Sequence, residues 1–295
     1  MNRRQFIHSS AVLAAAGSAA TPALAAHEYK LRYAPRVGFL NDLPVPRQLE
    51  IYAEHGFQAF EYNGLPNHPL QEVEQFRKKM DELKMDMGIF VVNSGGWKGD
   101  ALVDKAFHEG FIKDVHRAVE YHKVIRNGWS TVTSGLAVQN LSREQQTKNV
   151  IEGLKRAADI VSKTDLVLVL EPLNVLVNHA GYFVVAADHA AEIIDAVNSP
   201  QVKILFDIYH QQISEGNLIH NIEKYWDRIA YFQVGDVPGR KEPGTGEINY
   251  RNVFKAIHAK GYKGLLGMEH GLSQPGMAGL KKCFSEYAKA DTWDS

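Results

Sequence analysis

The chain has 295 residues, of which 45% are hydrophobic and 23% are charged, and its formal net charge at pH 7 is −1. This composition excludes a disordered or fibrous protein, because it supplies enough apolar residues for a large core. The near-zero charge lacks the basic excess of nucleic-acid-binding proteins, and the single cysteine, Cys283, excludes an internal disulfide and a cysteine-based zinc cluster.

Residues 1–25 have the pattern of an export signal. Arg3 and Arg4 precede an apolar, alanine-rich run at 11–20, and an Ala-Leu-Ala sequence at 23–25 supplies a small-x-small cleavage site. The segment resembles a twin-arginine signal peptide, which implies recognition by the twin-arginine export machinery and a periplasmic mature protein. Because the apolar run is too short to cross a bilayer, we expect no membrane anchor in the mature chain.

Beyond residue 30, short apolar runs alternate with longer amphipathic stretches, which is typical of βα units around a parallel sheet. The short runs predict eight strands: Leu31–Ala34, Gln58–Tyr62, Met87–Val92, Lys123–Arg126, Leu166–Leu170, Val202–Phe206, Ala230–Val234 and Leu265–Met268. The longer stretches predict helices over Leu70–Leu83, Leu102–Tyr121, Arg143–Ser162, Val184–Val197, Leu218–Trp226, Tyr250–Ala259 and Ala278–Lys289.

Eight βα units without a Gly/Ser/Pro-rich linker predict a single α/β domain over residues 26–295, a (β/α)8 barrel. The alternative fold is an open doubly wound sheet. Its phosphate-binding G-x-G-x-x-G pattern does not follow the first predicted strand. In a barrel, we expect the active site at the C-terminal ends of the strands.

Four consecutive predicted strands end in a polar side chain that carries an oxygen: Glu171, Asp207, Gln233 and Glu269. A single acidic residue in such a place is commonly a helix cap, but four at equivalent depth would meet at the barrel mouth. Carboxylates held close together raise one another's pKa unless a cation lies between them. Oxygen donors without thiolate favour Mg²⁺ or Mn²⁺, with Co²⁺ as a further candidate.

Three segments carry a family resemblance: EPLN at 171–174, FDIYH at 206–210, and the stretch 233–250 from QVGD to EINY. They resemble the hydroxypyruvate isomerase family, which belongs to the xylose isomerase-like TIM barrels together with ketose 3-epimerases. The resemblance implies a divalent metal ion bound by Glu171, Asp207, Gln233 and Glu269. It also implies that Glu171 and Glu269 transfer protons, and that His210 and Arg240 contact the substrate.

The expected function is a metal-dependent isomerase that interconverts the ketone and aldehyde forms of a small hydroxy-oxo acid or sugar through an enediolate. Three alternatives stay open: a ketose 3-epimerase, a keto-sugar lyase on the same metal site, and an exported sugar-binding barrel without catalysis. Two opposed carboxylates favour catalysis, because binding alone does not require them. The oligomeric state is left open, a homo-oligomer included.

Overall fold

Strands and helices alternate along the chain in a computed structural model, which describes residues 27–93, 95–96 and 102–294. The strands of this part of the chain are β1 (Arg32–Pro35), β2 (Ala59–Phe60), β3 (Asp86–Met87), β4 (Trp129–Val132), β5 (Val167–Leu170), β6 (Val202–Asp207), β7 (Ile229–Gln233) and β8 (Leu265–Met268). Every strand pair is parallel.

The eight strands close into a ring. Six pair in the order β1-β8-β7-β6-β5-β4, and β2 pairs with β3. Two parallel bridges join these sets, one between Arg36 and Glu61 and one between Val91 and Thr131. Main-chain hydrogen bonds hold both joins, since Val37 donates to the Glu61 carbonyl at 2.7 Å and residue 92 donates to the Thr131 carbonyl at 2.9 Å. The predicted (β/α)8 barrel is confirmed.

Helices cover the outside of this ring. In the described residues they are α1 (Val45–Glu54), α2 (Leu70–Leu83), α3 (His108–Ile125), α4 (Arg143–Val161), α5 (Ala187–Val197), α6 (Ile208–Ser214), α7 (Leu218–Lys224), α8 (Tyr250–Ala259) and α9 (Gly276–Ala290). In α2, Val73, Phe76 and Met80 recur at steps of three and four residues and are buried, as an amphipathic helix requires. Searched for membrane spans, the described helices include none that is both long and apolar enough.

The predicted strand at Lys123–Arg126 is wrong. This run is the end of α3 and the residue after it, and the fourth strand is β4 at Trp129–Val132. The buried positions of α3 keep helical spacing into the run: Val115, Ala118, His122 and Ile125. Arg126 then takes a left-handed conformation with φ 59°, which ends the helix. The apolar run was thus the last inward-facing turn of a helix.

A layer of apolar side chains fills the inside of the barrel. Its buried members are Ala34, Ala59, Ile89, Val169, Leu205, Tyr231 and Leu265. Gly267 in β8 has no side chain where the Glu61 carboxylate comes close, and a Cβ there would lie 1.7 Å from Glu61 Oε2. The inside of the barrel is therefore apolar toward the N-terminal ends of the strands. Near their C-terminal ends it carries the acidic side chain of Glu61.

Candidate functional site

The four predicted metal ligands lie at the C-terminal ends of neighbouring strands. Asp207 and Gln233 are the last residues of β6 and β7, while Glu171 and Glu269 directly follow β5 and β8. Three of the four are buried: Asp207 and Gln233 are each 1% exposed, and Glu171 is 8% exposed. The barrel thus brings four oxygen-bearing side chains to one face, as the strand-end pattern predicts.

A cavity of about 240 Å³ opens at this face, and Arg240 lines it together with Glu171 and Glu269. One nitrogen of Arg240 joins two carboxylates, because Nη2 donates to Asp207 Oδ2 at 3.1 Å and to Glu269 Oε2 at 2.6 Å. The guanidinium also lies over the Tyr209 ring, 4.9 Å from its centre. The arginine predicted to contact substrate therefore lies against the acidic cluster.

Burial and mutual repulsion raise the pKa of the carboxylates. Burial first, and then the charges of Glu269 and Asp207, raise the pKa of Glu171 well above its usual value. Burial also raises the pKa of Asp207 to about 6, although Arg240 opposes the rise. A divalent cation between these groups would favour their charged forms.

The donor set fits a hard divalent cation. One oxygen of Glu171 lies within 4.8 Å of one oxygen of Asp207, and a ring nitrogen of His210 lies within the same distance of both. The oxygens are the donors considered for the cation. Gln233 Oε1 is buried and has no hydrogen-bond partner in the described residues, as expected for an atom that binds a cation. Carboxylate and amide oxygens are ligands that Mg²⁺ and Mn²⁺ accept.

His210 lies in the first turn of α6, a helix that is not among the predicted elements. Asp207 caps this helix, because its Oδ1 accepts from the main-chain nitrogens of Tyr209 at 2.8 Å and His210 at 3.3 Å. The helix-cap interpretation and the metal-site interpretation of Asp207 are therefore compatible. Burial, with a smaller contribution from Arg240, holds the pKa of His210 well below its usual value, so its imidazole is neutral.

Glu61 is a further acid of the site that the sequence interpretation did not include. It is fully buried and accepts from Gln233 Nε2 at 2.9 Å and from the Tyr231 hydroxyl at 3.0 Å. Burial, and then the charge of Glu269, raise its pKa to about 8. Its bond to Gln233 Nε2 leaves Gln233 Oε1 available. Glu61 directly follows β2, but the predicted strand runs to Tyr62 and so places Glu61 inside it rather than at its end.

Asn63 also lies in the site and was not predicted. Its Nδ2 donates to Glu269 Oε1 at 2.7 Å, and the side chain lines the cavity. Glu269 is therefore held from two sides, by Asn63 on one oxygen and by Arg240 on the other. No spacing rule separates Asn63 from an ordinary loop asparagine, so its sequence signal is weak.

The segment 236–248, here called the Arg240 loop, is held by one buried carboxylate. Asp236 is 0% exposed and accepts from the main-chain nitrogens of Gly244 at 2.9 Å, Gly246 at 2.8 Å and Ile248 at 3.1 Å. A Cβ on Gly246 would lie 2.0 Å from a main-chain oxygen, so this close approach requires glycine. Arg240 itself has a left-handed backbone with φ 51°. The backbone of the loop that carries Arg240 is thus held by a buried side chain.

Comparisons with known proteins agree with the barrel fold. The profile of the family described as "Xylose isomerase-like TIM barrel" matches residues 49–283. Hydroxypyruvate isomerase of Escherichia coli strain K12 is 30% identical over 238 residues, which cover 79% of this chain and 90% of that protein. The 2-oxo-tetronate isomerase of Cupriavidus necator is 29% identical over 222 residues, 74% of this chain and 84% of that protein.

A solved structure described as an AP endonuclease, family 2, from Brucella melitensis superposes with a TM-score of 0.78. It is 27% identical in sequence, and the match covers 85% of this chain and 96% of that one. Most of this chain therefore has the same fold as that structure.

Proposed function

The chain belongs to the family of xylose isomerase-like TIM barrels and is an isomerase, and from this premise we propose that it is a metal-dependent enzyme of the hydroxypyruvate isomerase type. The reaction is the interconversion of ketone and aldehyde forms of a small hydroxy-oxo acid or sugar. The substrate class is inferred from the two relatives, which are named for hydroxypyruvate and 2-oxo-tetronate.

One observation carries the proposal: Glu171, Asp207, Gln233 and Glu269 converge at one end of the barrel, beside a small cavity. Ionised Glu171, Asp207 and Glu269 carry three negative charges and Arg240 balances only one of them, so a divalent cation would stabilise the cluster. The volume of about 240 Å³ suits a substrate of a few carbon atoms.

A divalent cation bound by Glu171, Asp207, Gln233 and Glu269 would act as a Lewis acid and stabilise negative charge on the substrate oxygens. Glu171 and Glu269 perform the proton transfers. A carboxylate oxygen removes the proton from the hydroxyl-bearing carbon, and a proton is returned to the neighbouring carbon that carried the carbonyl. The hydroxyl proton moves to the former carbonyl oxygen, so the reaction is balanced without a redox partner.

The other residues of the cavity orient these groups. Asn63 and Arg240 each bind one oxygen of Glu269, so its carboxylate is fixed before substrate enters. The planar guanidinium of Arg240 can bind a substrate carboxylate through two parallel hydrogen bonds. His210, buried and neutral, provides a hydrogen-bonding ring nitrogen to the same space.

Deuterium exchange tests the chemistry directly. We expect hydroxypyruvate incubated with the metal-loaded protein in D2O to give the aldehyde isomer, tartronate semialdehyde, with deuterium on carbon, because the removed proton exchanges at the carboxylate. Mass spectrometry and NMR measure the label. In a parallel incubation with a ketose, a labelled product inverted at its third carbon would instead identify a 3-epimerase. Turnover without any solvent deuterium in the product would contradict the enediolate scheme.

We further propose that the protein is exported through the twin-arginine route and acts in the periplasm. Arg3 and Arg4, on which this rests, lie outside the residues that the structure describes. Replacing both with Lys should retain the precursor in the cytoplasm, because the export receptor recognises the arginine pair and not charge alone. Cell fractionation measures the distribution, with Arg47→Lys as a matched conservative control. Unchanged periplasmic delivery of the Lys-Lys variant would favour the general secretory route.

A further inference from the structure

Asn174, in the loop after β5, contacts one ring nitrogen of His210. Its main-chain N–H donates to His210 Nδ1 at 3.3 Å, and its side-chain Nδ2 lies 2.6 Å from the same nitrogen. Both residues are buried, at 0% and 1% exposed. A main-chain amide can only donate, so Nδ1 must accept and carries a lone pair.

The orientation of the Asn174 amide is determined by the turn that follows it. Its Oδ1 accepts from the main-chain nitrogens of Val177 at 3.0 Å and Asn178 at 3.2 Å. Its Nδ2 also donates to Asn178 Oδ1 at 3.0 Å, an oxygen that accepts from the Tyr209 hydroxyl at 2.9 Å. Rotating the amide by half a turn would break these bonds and place two acceptors together. The side chain therefore presents N–H to His210.

We infer that Asn174 is a positioning residue that fixes His210 in the tautomer with its proton on Nε2. A neutral imidazole has one N–H and one bare nitrogen. Because both donors of Asn174 meet Nδ1, the proton is on Nε2. This atom is buried, has no hydrogen-bond partner in the described residues, and lies 3.6 Å from Asp207 Oδ2.

The tautomer decides what His210 does in the cavity. A metal ligand must offer a lone pair, and Nε2–H does not offer one. His210 is therefore a hydrogen-bond donor to a substrate oxygen, although its ring lies near the oxygens of Glu171 and Asp207. The identity of that oxygen rests on the proposed isomerase function, whereas the tautomer rests on the hydrogen bonds of Asn174 alone.

Nitrogen-15 NMR of the imidazole rings tests the tautomer without any activity measurement. The full-length chain is labelled at histidine, and the signals of His210 are assigned by their loss in His210→Gln. We expect Nε2 to carry the proton at neutral pH, both without metal and after saturation with Mg²⁺. A bare Nε2 in the wild-type protein, or loss of its proton when Mg²⁺ is added, would overturn the inference.

Asn174→Asp tests the role of Asn174 itself. The new carboxylate accepts from Nδ1, so we expect a proton on Nδ1 of His210. If Nε2 then turns a lone pair toward the substrate oxygen, KM for hydroxypyruvate should rise at least roughly tenfold, the equivalent of one lost hydrogen bond. An unchanged His210 spectrum in a folded Asn174→Asp would show that Asn174 does not set the tautomer.

Asn178→Asp is the matched control, because it adds the same charge one turn away. Residue 178 keeps an oxygen that accepts from Asn174 Nδ2, so the His210 spectrum should stay as in the wild type. If Asn178→Asp shifts the proton as well, a general charge effect explains the result and the positioning role fails. The wild-type protein could give the expected spectra and show no isomerase activity on any tested substrate. That result would establish the tautomer and reject the proposed function.

Discussion

Glu171→Gln and Glu269→Gln should each lower kcat at least ~10²-fold, because glutamine keeps the size and one ligand oxygen but cannot accept the proton. Steady-state kcat and KM for hydroxypyruvate measure the effect, with bound metal quantified in the same samples. Since the Glu171 carboxylate is buried and its pKa is raised, removing its charge should leave the metal-free protein at least as thermally stable as the wild type.

Two comparison variants separate chemistry from binding. Glu247→Gln makes the same change at an exposed residue of the Arg240 loop, and it should leave kcat unchanged. Arg240→Lys keeps the charge but loses the planar fork, so it should raise KM for a carboxylate-bearing substrate more than it lowers kcat. Full activity of both Glu171→Gln and Glu269→Gln would show that these two glutamates are not the proton-transfer groups.

Asp207→Ala should abolish stoichiometric metal binding. The purified wild-type protein is expected to hold about one Mn²⁺, Mg²⁺ or related ion per chain, and the variant little. A lost carboxylate ligand should weaken the affinity by more than the ~10–100-fold typical of residues that only support a ligand. Elemental analysis gives the metal content, and calorimetric titration with Mn²⁺ gives the affinity.

Asp207 has two roles, so the alanine variant alone does not separate them. It also caps α6, and losing a cap costs about 1 kcal/mol of folding free energy. Asp207→Asn retains an oxygen for the cap and removes the charge. We expect it to fold as stably as the wild type and still bind metal weakly. Equal metal content in the wild type and both variants would exclude the proposed site.

The barrel was predictable because its signals are local. Helical spacing such as that of α2, and apolar runs such as Leu265–Met268, indicate their elements without knowledge of the rest of the chain. The fourth strand was missed because Trp129–Val132 contains Ser and Thr where a buried strand is usually aliphatic. The preceding run at 123–125 looked more strand-like, although it faces the core from a helix.

The candidate site was predictable only where a strand end carries it. Glu171 and Asp207 follow apolar runs, so position along the chain already places them at the barrel mouth. The contacts of Glu61 and Asn174 depend on side chains far away in sequence, namely Gln233 and His210. These contacts form only when the barrel closes and when two loops approach each other. The periodicity of the sequence does not predict them.

The Arg240 loop limits which substitutions its side of the barrel mouth can accept. Because three main-chain bonds to Asp236 and the close approach at Gly246 hold its backbone, an insertion in the loop, or a replacement of Asp236 or Gly246, would misplace Arg240. A change of substrate preference that keeps Arg240 in place would therefore have to come from cavity residues outside this loop, such as Leu173 or His179.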